Sequence, residues 1–201
     1  MKNIRLLLIL ATSILFFNCG GTKYHYNFEK GKNIDFSRGK WILNEPYTNY
    51  NEERIYLIAK KEFKDILQDS LFEINDLRRD KLIGLQIPFN PTIEQLKDLK
   101  TGTDSDYLIN ISTNLIKDEM GSFASSSDFG SVIKSNEAST LIRIYDLNNL
   151  ELLSESSVYG IAKKIRTTED GDWDYVSSGG TITMKGLARL IKKYDKYKID
   201  K

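Results

Sequence analysis

The chain has 201 residues, 40% of them hydrophobic and 28% charged, with 29 Lys and Arg against 28 Asp and Glu. That length suffices for one domain with its own core, and the balanced charge excludes the basic footprint of a nucleic-acid binder. One cysteine and one histidine exclude an intrachain disulfide and a Cys/His zinc cluster, and 3 prolines with 13 glycines exclude a proline-rich or collagen-like chain.

The chain opens with Lys2 and Arg5, followed by an uncharged run over residues 6–17. Twelve residues fall well short of the ~20 that a spanning helix needs, and match the core of a cleavable signal peptide. The run ends in Leu15-Phe16-Phe17-Asn18-Cys19-Gly20, which resembles a lipobox, the site where bacterial lipoproteins are cut and lipidated. The apolar run, the cysteine directly after it and the following glycine fit. Phe16 stands where Leu is usual, and Asn18 where Gly, Ala or Ser is usual, so this is a relaxed version of the motif. The resemblance implies a signal peptide over residues 1–18 and lipid on Cys19. A cysteine is required because the thiolate is the nucleophile that takes the lipid. Several acyl chains on one residue then anchor stably where one chain is marginal. The rival reading is an ordinary secretory signal with an incidental free thiol. Cleavage removes Lys2 and Arg5 and leaves one more acid than base. No Asp follows Cys19 and no acidic cluster lies close behind it, which by resemblance to known sorting rules implies the outer membrane, facing the periplasm, in a cell with two membranes.

Residues 19–39 carry four glycines and mixed charges and read as a lipidated tether, with a fully extended reach of roughly 60–70 Å. Tyr24, Tyr26 and Phe28 alternate as strand residues do and stand against that reading. An edge strand, a layer at the membrane surface and docking to a partner all fit the alternation. His25 falls in this segment, away from the expected domain.

A single domain is expected over residues 40–201. Trp41-Ile42-Leu43 reads as a short apolar strand. Asn51 caps a helix with Glu52 and Glu53 in its first turn, and Ile55, Ile58, Ala59, Phe63, Ile66 and Leu67 recur at helical spacing. Residues 71–74 form a candidate second strand, residues 82–87 another short strand or a packed loop, and Pro88 and Pro91 bound a turn. Thr92-Ile93-Glu94-Gln95 is a capping box ahead of Leu96 and Leu99, with Gly102 suited to the left-handed position at the helix end. Residues 106–111 read as a central strand. Residues 120–136, rich in Ser and Gly, read as a long loop or hairpin end. Residues 140–146 and 151–164 are strands about a turn at Asn148-Asn149. A second polar insertion covers residues 166–180, and Leu187, Leu190, Ile191 and Tyr194 mark a closing amphipathic helix. Lys192, Lys193, Lys196, Lys198 and Lys201 make its end basic, which suits the helix dipole. This order predicts an α/β fold: a small mixed sheet with two or three amphipathic helices packed on it.

Catalytic constellations are not visible. A Ser-His-Asp or Cys-His arrangement needs a histidine in the domain, and none follows His25. Gly179-Gly180 lacks the Gly-Lys-Ser/Thr of a phosphate loop. Asp170-Gly171-Asp172-Trp173-Asp174 has the alternating carboxylates of a calcium loop. It has Tyr175 where the sixth-position glycine belongs and Thr181 where the twelfth-position Glu belongs, so it reads as a solvated loop tip. Trp173 and Tyr175 in that loop are of the type that anchors partner surfaces, and are the candidate partner contacts. No cofactor, metal or catalytic residue is expected.

The helix ending Leu99-Lys100-Thr101-Gly102, closely followed by Asp106-Tyr107-Leu108-Ile109, is similar to a recurring pattern of envelope lipoproteins. So is Ile142-Arg143-Ile144-Tyr145-Asp146 before a hairpin. The group comprises the LpoB-type activators of penicillin-binding proteins, the CsgG-type curli secretion subunits and the amino-terminal domain of TolB. The resemblance implies a non-catalytic lipoprotein that holds an α/β domain at the membrane and binds an envelope protein or cell-wall component. Two rivals belong to other classes: a subunit of an outer-membrane secretion pore, and an envelope enzyme using paired carboxylates.

Overall fold

The computed structural model describes residues 21–80, 83–84, 86–119, 132–166 and 177–199. In chain order the strands are β1 (Lys23–Asn27), β2 (Trp41–Leu43), β3 (Tyr47–Thr48), β4 (Leu71–Glu73), β5 (Tyr107–Asp118), β6 (Val132–Asp146) and β7 (Glu151–Arg166). The helices are α1 (Glu52–Leu67), α2 (Ile74–Asp80), α3 (Ile93–Thr103) and α4 (Gly179–Tyr197). The strands form one mixed sheet in the order β1-β7-β6-β5-β2-β4, with β3 also on β5. β2 runs parallel to β4 and β5, whereas β5, β6, β7 and β1 are successively antiparallel. The expected α/β architecture is thus the observed one, with the short α2 as an additional helix.

Local sequence accounts for much of this. The Asn51 side chain accepts from the Arg54 backbone N–H and starts α1, whose Ile55, Ala59, Phe63 and Leu67 are buried. Thr92 and Gln95 close the capping box of α3 in both directions, at 3.3 Å and 2.8 Å. The far end of α3 differs from expectation. Thr103 Oγ1 donates to the Leu99 carbonyl and carries the helix past Gly102, so Asp104 takes the left-handed backbone at φ 55°. A short polar residue tolerates that conformation better than most. The candidate strand over 71–74 stops at Glu73, because Ile74 already begins α2. Of the segment 82–87, Ile87 is a buried loop residue. Within the region read as a loop over 120–136, β6 already begins at Val132.

Two apolar layers lie on opposite faces of the sheet. On one face α1 and α4 pack Ile55, Phe63, Leu187, Leu190, Ile191 and Tyr194 against Trp41, Leu43, Ile109, Ile111, Ile142, Ile144 and Val158. On the other, α2, α3 and the loop at Ile87 pack Ile74, Leu96 and Leu99 on Ile42, Leu108, Tyr145 and Leu147. Gly160 of β7 lets α4 approach closely: an added Cβ there would collide with Ile182 and the Tyr24 ring.

The expected tether is structured from Lys23 onward. β1 pairs with β7 from Lys23↔Ile161 to Asn27↔Ser157, and Phe28, Ile34 and Phe36 are buried in the main core. Phe28 meets Tyr194 edge-on at 5.0 Å, and Phe36 lies 4.9 Å from Trp41. The boundary drawn at residue 39 therefore falls inside the folded unit. The alternating aromatics were the informative feature, and the glycines and charges beside them were not.

Candidate binding surface

Helices cover the sheet unevenly. β2 and the first half of β5 are covered on both faces, while β4 at the edge buries Leu71 and leaves Phe72 exposed. Across β6, β7 and β1, the described residues place helix α4 on one face and nothing on most of the other. Alternation along the strands follows from this. In β6, Ala138, Thr140, Ile142 and Ile144 are buried, while Glu137, Ser139, Leu141 and Arg143 are only half-buried. In β7, Ser154, Ser156, Val158 and Ala162 are buried, and Glu155, Ser157, Tyr159 and Ile161 lie on the open side. Register sets these open residues opposite one another: Ser139 faces Tyr159, Leu141 faces Ser157, and His25 of β1 faces Tyr159 from the other side.

The open face is organised by paired polar groups around a small apolar centre. The Tyr159 hydroxyl donates to Glu137 Oε2 at 2.5 Å, and Ser135 Oγ donates to Glu137 Oε1 at 2.8 Å. The bond to Glu137 pushes the Tyr159 phenol up to about 12. The same bond, with that from Ser135, holds the Glu137 carboxyl below the usual range. Arg143 Nε and Nη2 both reach Glu155 Oε2 at 2.7 Å, and its guanidinium lies 4.9 Å over the Phe89 ring. These pairs fix long side chains in place, so Leu141 and Tyr159 sit in a pre-organised surface. β1 forms one edge of the sheet, and among the described residues no strand pairs its outer side.

The covered end is built as a clamp. Asp106 accepts from the Lys40 backbone N–H at 2.9 Å, the Lys100 ammonium at 2.9 Å and Asn148 Nδ2 at 3.2 Å. One carboxylate thus ties the start of β2 to the end of α3 and the β6–β7 turn. Burial pulls its pKa up, but these donors outweigh it and hold the carboxyl below the ordinary value. Tyr107 stacks on Trp41 at 4.1 Å. Asn44 donates to Asn110 Oδ1 at 3.0 Å and to the Ile87 carbonyl at 3.1 Å. Asn110 in turn donates to the Pro88 and Phe89 carbonyls at 3.0 and 3.1 Å. The Tyr145 and Tyr47 hydroxyls donate to the Phe89 and Ile87 carbonyls, completing the pinning of the 87–89 segment.

The described carboxylates with displaced acidity, namely Glu45, Glu73, Asp104, Asp106, Glu119 and Glu137, are all held low. A general acid needs the opposite displacement. Among the described residues, no three His, Cys, Asp or Glu side chains converge on a metal position. A cavity of about 220 Å³ between the loop at Ile87 and Gln95, Asp98 and Leu99 of α3 is smaller than usual ligand pockets. Among the described residues, no helix is long and apolar enough to cross a membrane.

Cys19, Trp173, Tyr175 and the acidic loop at 170–174 lie outside the described residues. The segment carrying Trp173 and Tyr175 leaves β7 and rejoins the described chain at Ser177, whose carbonyl accepts from Asn136 Nδ2. Sequence reasoning identified β6 and β7 as strands without reading their faces. The alternation of Glu137, Ser139, Leu141 and Arg143 with apolar or small residues is the signal that marks the open side.

No family model matches this sequence, and no curated protein does. Among solved structures the chain is similar to PelC of Paraburkholderia phytofirmans, a dodecamer, with 8% identity, 89% of this chain and 99% of that one covered, and a TM-score of 0.46. A neuraminyllactose-binding hemagglutinin homolog from Helicobacter pylori is similar at 12% identity, 86% and 91% coverage and a TM-score of 0.44. Lipoprotein GNA1162 from Neisseria meningitidis is similar at 11% identity, 78% and 99% coverage and a TM-score of 0.35. Of these three, GNA1162 is itself described as a lipoprotein.

Proposed function

We propose that this protein is a lipoprotein anchored through Cys19, probing the envelope with a non-catalytic binding domain. The observation that carries the binding role is the open face of β6, β7 and β1, where Tyr159 and Arg143 are held by fixed polar partners on either side of Leu141, with no helix of the described chain over them. A sheet face of this kind offers aromatic and aliphatic contact area inside a polar rim, the usual anatomy of a partner surface. The partner is an envelope protein or cell-wall component, with Trp173 and Tyr175 as additional contacts. The outer membrane facing the periplasm is the proposed location. Membership of the LpoB-, CsgG- and TolB-type group is part of the same reading, supported by Leu99-Lys100-Thr101-Gly102, Asp106-Tyr107 and the strand ending at Asp146.

Two experiments test this. Cys19→Ala is expected to abolish fatty-acid labelling and release the protein from membranes; continued labelling sinks the anchor. A photocrosslinking amino acid at Tyr159 is expected to trap a specific envelope component in cells, while the same group at Asp69, at the other edge of the sheet, traps none. Equal trapping at both positions sinks the open face as the binding surface.

A further inference from the structure

Three residues, Gly20, Gly21 and Thr22, separate Cys19 from Lys23, the first residue of β1. Fully extended, the four steps from Cys19 to Lys23 span at most about 14 Å, against the roughly 60–70 Å expected of a tether running to residue 39. A lipid on Cys19 therefore holds the sheet edge formed by β1 close to the bilayer, and the domain has little freedom to turn away. The composition of that edge matters accordingly.

α4 packs beside β1 and carries Lys185, Arg189, Lys193 and Lys196 at spacings of four, four and three residues, which places them along one side of the helix. That side lies opposite the buried Leu187, Leu190, Ile191 and Tyr194. The Arg189 guanidinium sits 4.4 Å over the Tyr24 ring, and Lys193 Nζ lies 4.5 Å from Tyr26 and 5.7 Å from Tyr197. Lys196 lies 5.4 Å from the Tyr197 ring, and Lys23 is exposed at the start of the strand. Nearby acids are turned to other cations: Asp195 to Lys198 at 2.8 Å, Glu62 to Lys192 at 3.7 Å and Glu29 to Lys32 at 2.9 Å. The flank is therefore a row of cations interleaved with tyrosines, next to the point where the lipid enters.

We propose that this β1–α4 flank is a membrane-contacting surface that lies against anionic lipid headgroups. The inference rests on the reading of Cys19 as the lipid site. Cations on flexible stems meet the phosphates, and the Tyr26 and Tyr197 rings with their polar tips suit the headgroup layer, whereas the Tyr24 hydroxyl is buried and its ring serves as packing beneath Arg189. With that flank down, the open face of β6 and β7 points away from the helix side and stays accessible to a partner.

The test uses the full lipidated protein purified from membranes. Lipid consumes Cys19, the only native cysteine, so a thiol introduced as Asn27→Cys or Asp69→Cys is unique for one fluorophore. Asn27 is on β1, and Asp69 lies beside β4 at the opposite edge, five strand spacings or roughly 24 Å across the sheet. The proteins are placed in phosphatidylcholine vesicles containing phosphatidylglycerol and a lipid with a headgroup quencher. The expected result is quenching about threefold or more stronger at Asn27 than at Asp69. That preference should fall with added salt and in the triple variant Arg189→Gln, Lys193→Gln, Lys196→Gln. Circular dichroism of the variant reports whether it folds. Should it misfold, the salt and phosphatidylglycerol dependence of the unaltered flank decides instead. Equal quenching at the two positions, or a preference indifferent to phosphatidylglycerol, overturns the proposal while leaving the anchor intact. Protein that carries no lipid and does not stay with vesicles overturns the anchor and the orientation together.

Discussion

The two halves of the sheet solve the burial problem differently. Around β2 and the start of β5, helices lie on both faces, and Trp41, Ile42, Leu43, Leu108 and Ile109 are all fully buried. Across β6, β7 and β1 the described residues cover one face and leave most of the other open, and the strands alternate buried with half-exposed residues. Continuous apolar runs mark two-sided burial, and alternation marks a face left for solvent or a partner. The outer face of the open half is where contact with other molecules costs the fold least.

That contrast can be broken most severely by removing β1. A chain shortened to begin at Lys40 loses the strand and the buried Phe28, Ile34 and Phe36, each worth about 1.5–3 kcal/mol of burial. Against a total of about 5–15 kcal/mol, the shortened chain is expected to lose its cooperative melt and near-UV dichroism, and a chain beginning at Gly21 to retain both. A shortened chain with a sharp melt restores the tether. Within the covered half, Trp41→Ala is expected to destabilise by about 3–5 kcal/mol in urea unfolding, because the ring is wholly buried between Phe36 and Tyr107. Asn110→Ala follows at about 2 kcal/mol, since it strips partners from Asn44 and from the Pro88 and Phe89 carbonyls.

Asp106 supplies a pH test of the same half. Its folded pKa is depressed, so its stabilisation is fully present above the ordinary carboxylate value of about 4 and is lost as pH falls through the lower folded value. Melting temperature is expected to drop across that acidic window, with the Asp106→Asn protein starting lower and showing a flatter fall. The smallest effect is expected on the open half: Leu141→Ala should shift stability by less than about 1 kcal/mol while reducing capture at the Tyr159 crosslinking position. A large loss of stability there means that the face is covered in the native protein.

Legibility in the sequence followed locality. Asn51 and the Thr92–Gln95 box act on backbone groups within three residues, so both helix starts were readable. The apolar run at 106–111 identified a central strand for the same reason. The end of α3 was misplaced onto Gly102 because the deciding bond, Thr103 to Leu99, competes with glycine's conformational ease. The β6–β7 turn spans four residues and carries its positive φ at Leu150, with the Asp146 carboxylate accepting from the Asn148 and Asn149 N–H groups. Asn148-Asn149 marked the place of the turn, and the carboxylate behind it set the form. At the binding surface, the open side was written in the alternation of β6 and β7, but only knowledge of where the helices lie turns that pattern into a face.

The sequence by itself determined the α/β class, the starts of α1 and α3 and the resemblance of residues 15–20 to a lipobox, because each depends on a short pattern of residue types, whereas α4 begins at Gly179 inside the segment read as a polar insertion. Only the tertiary structure decided that β1 belongs to the sheet, since its partner on β7 lies more than a hundred residues further along the chain. The same pairing leaves three residues between Cys19 and the first strand. A composition that reads as a flexible spacer is thereby converted into an edge strand, held by long-range burial that no local pattern records.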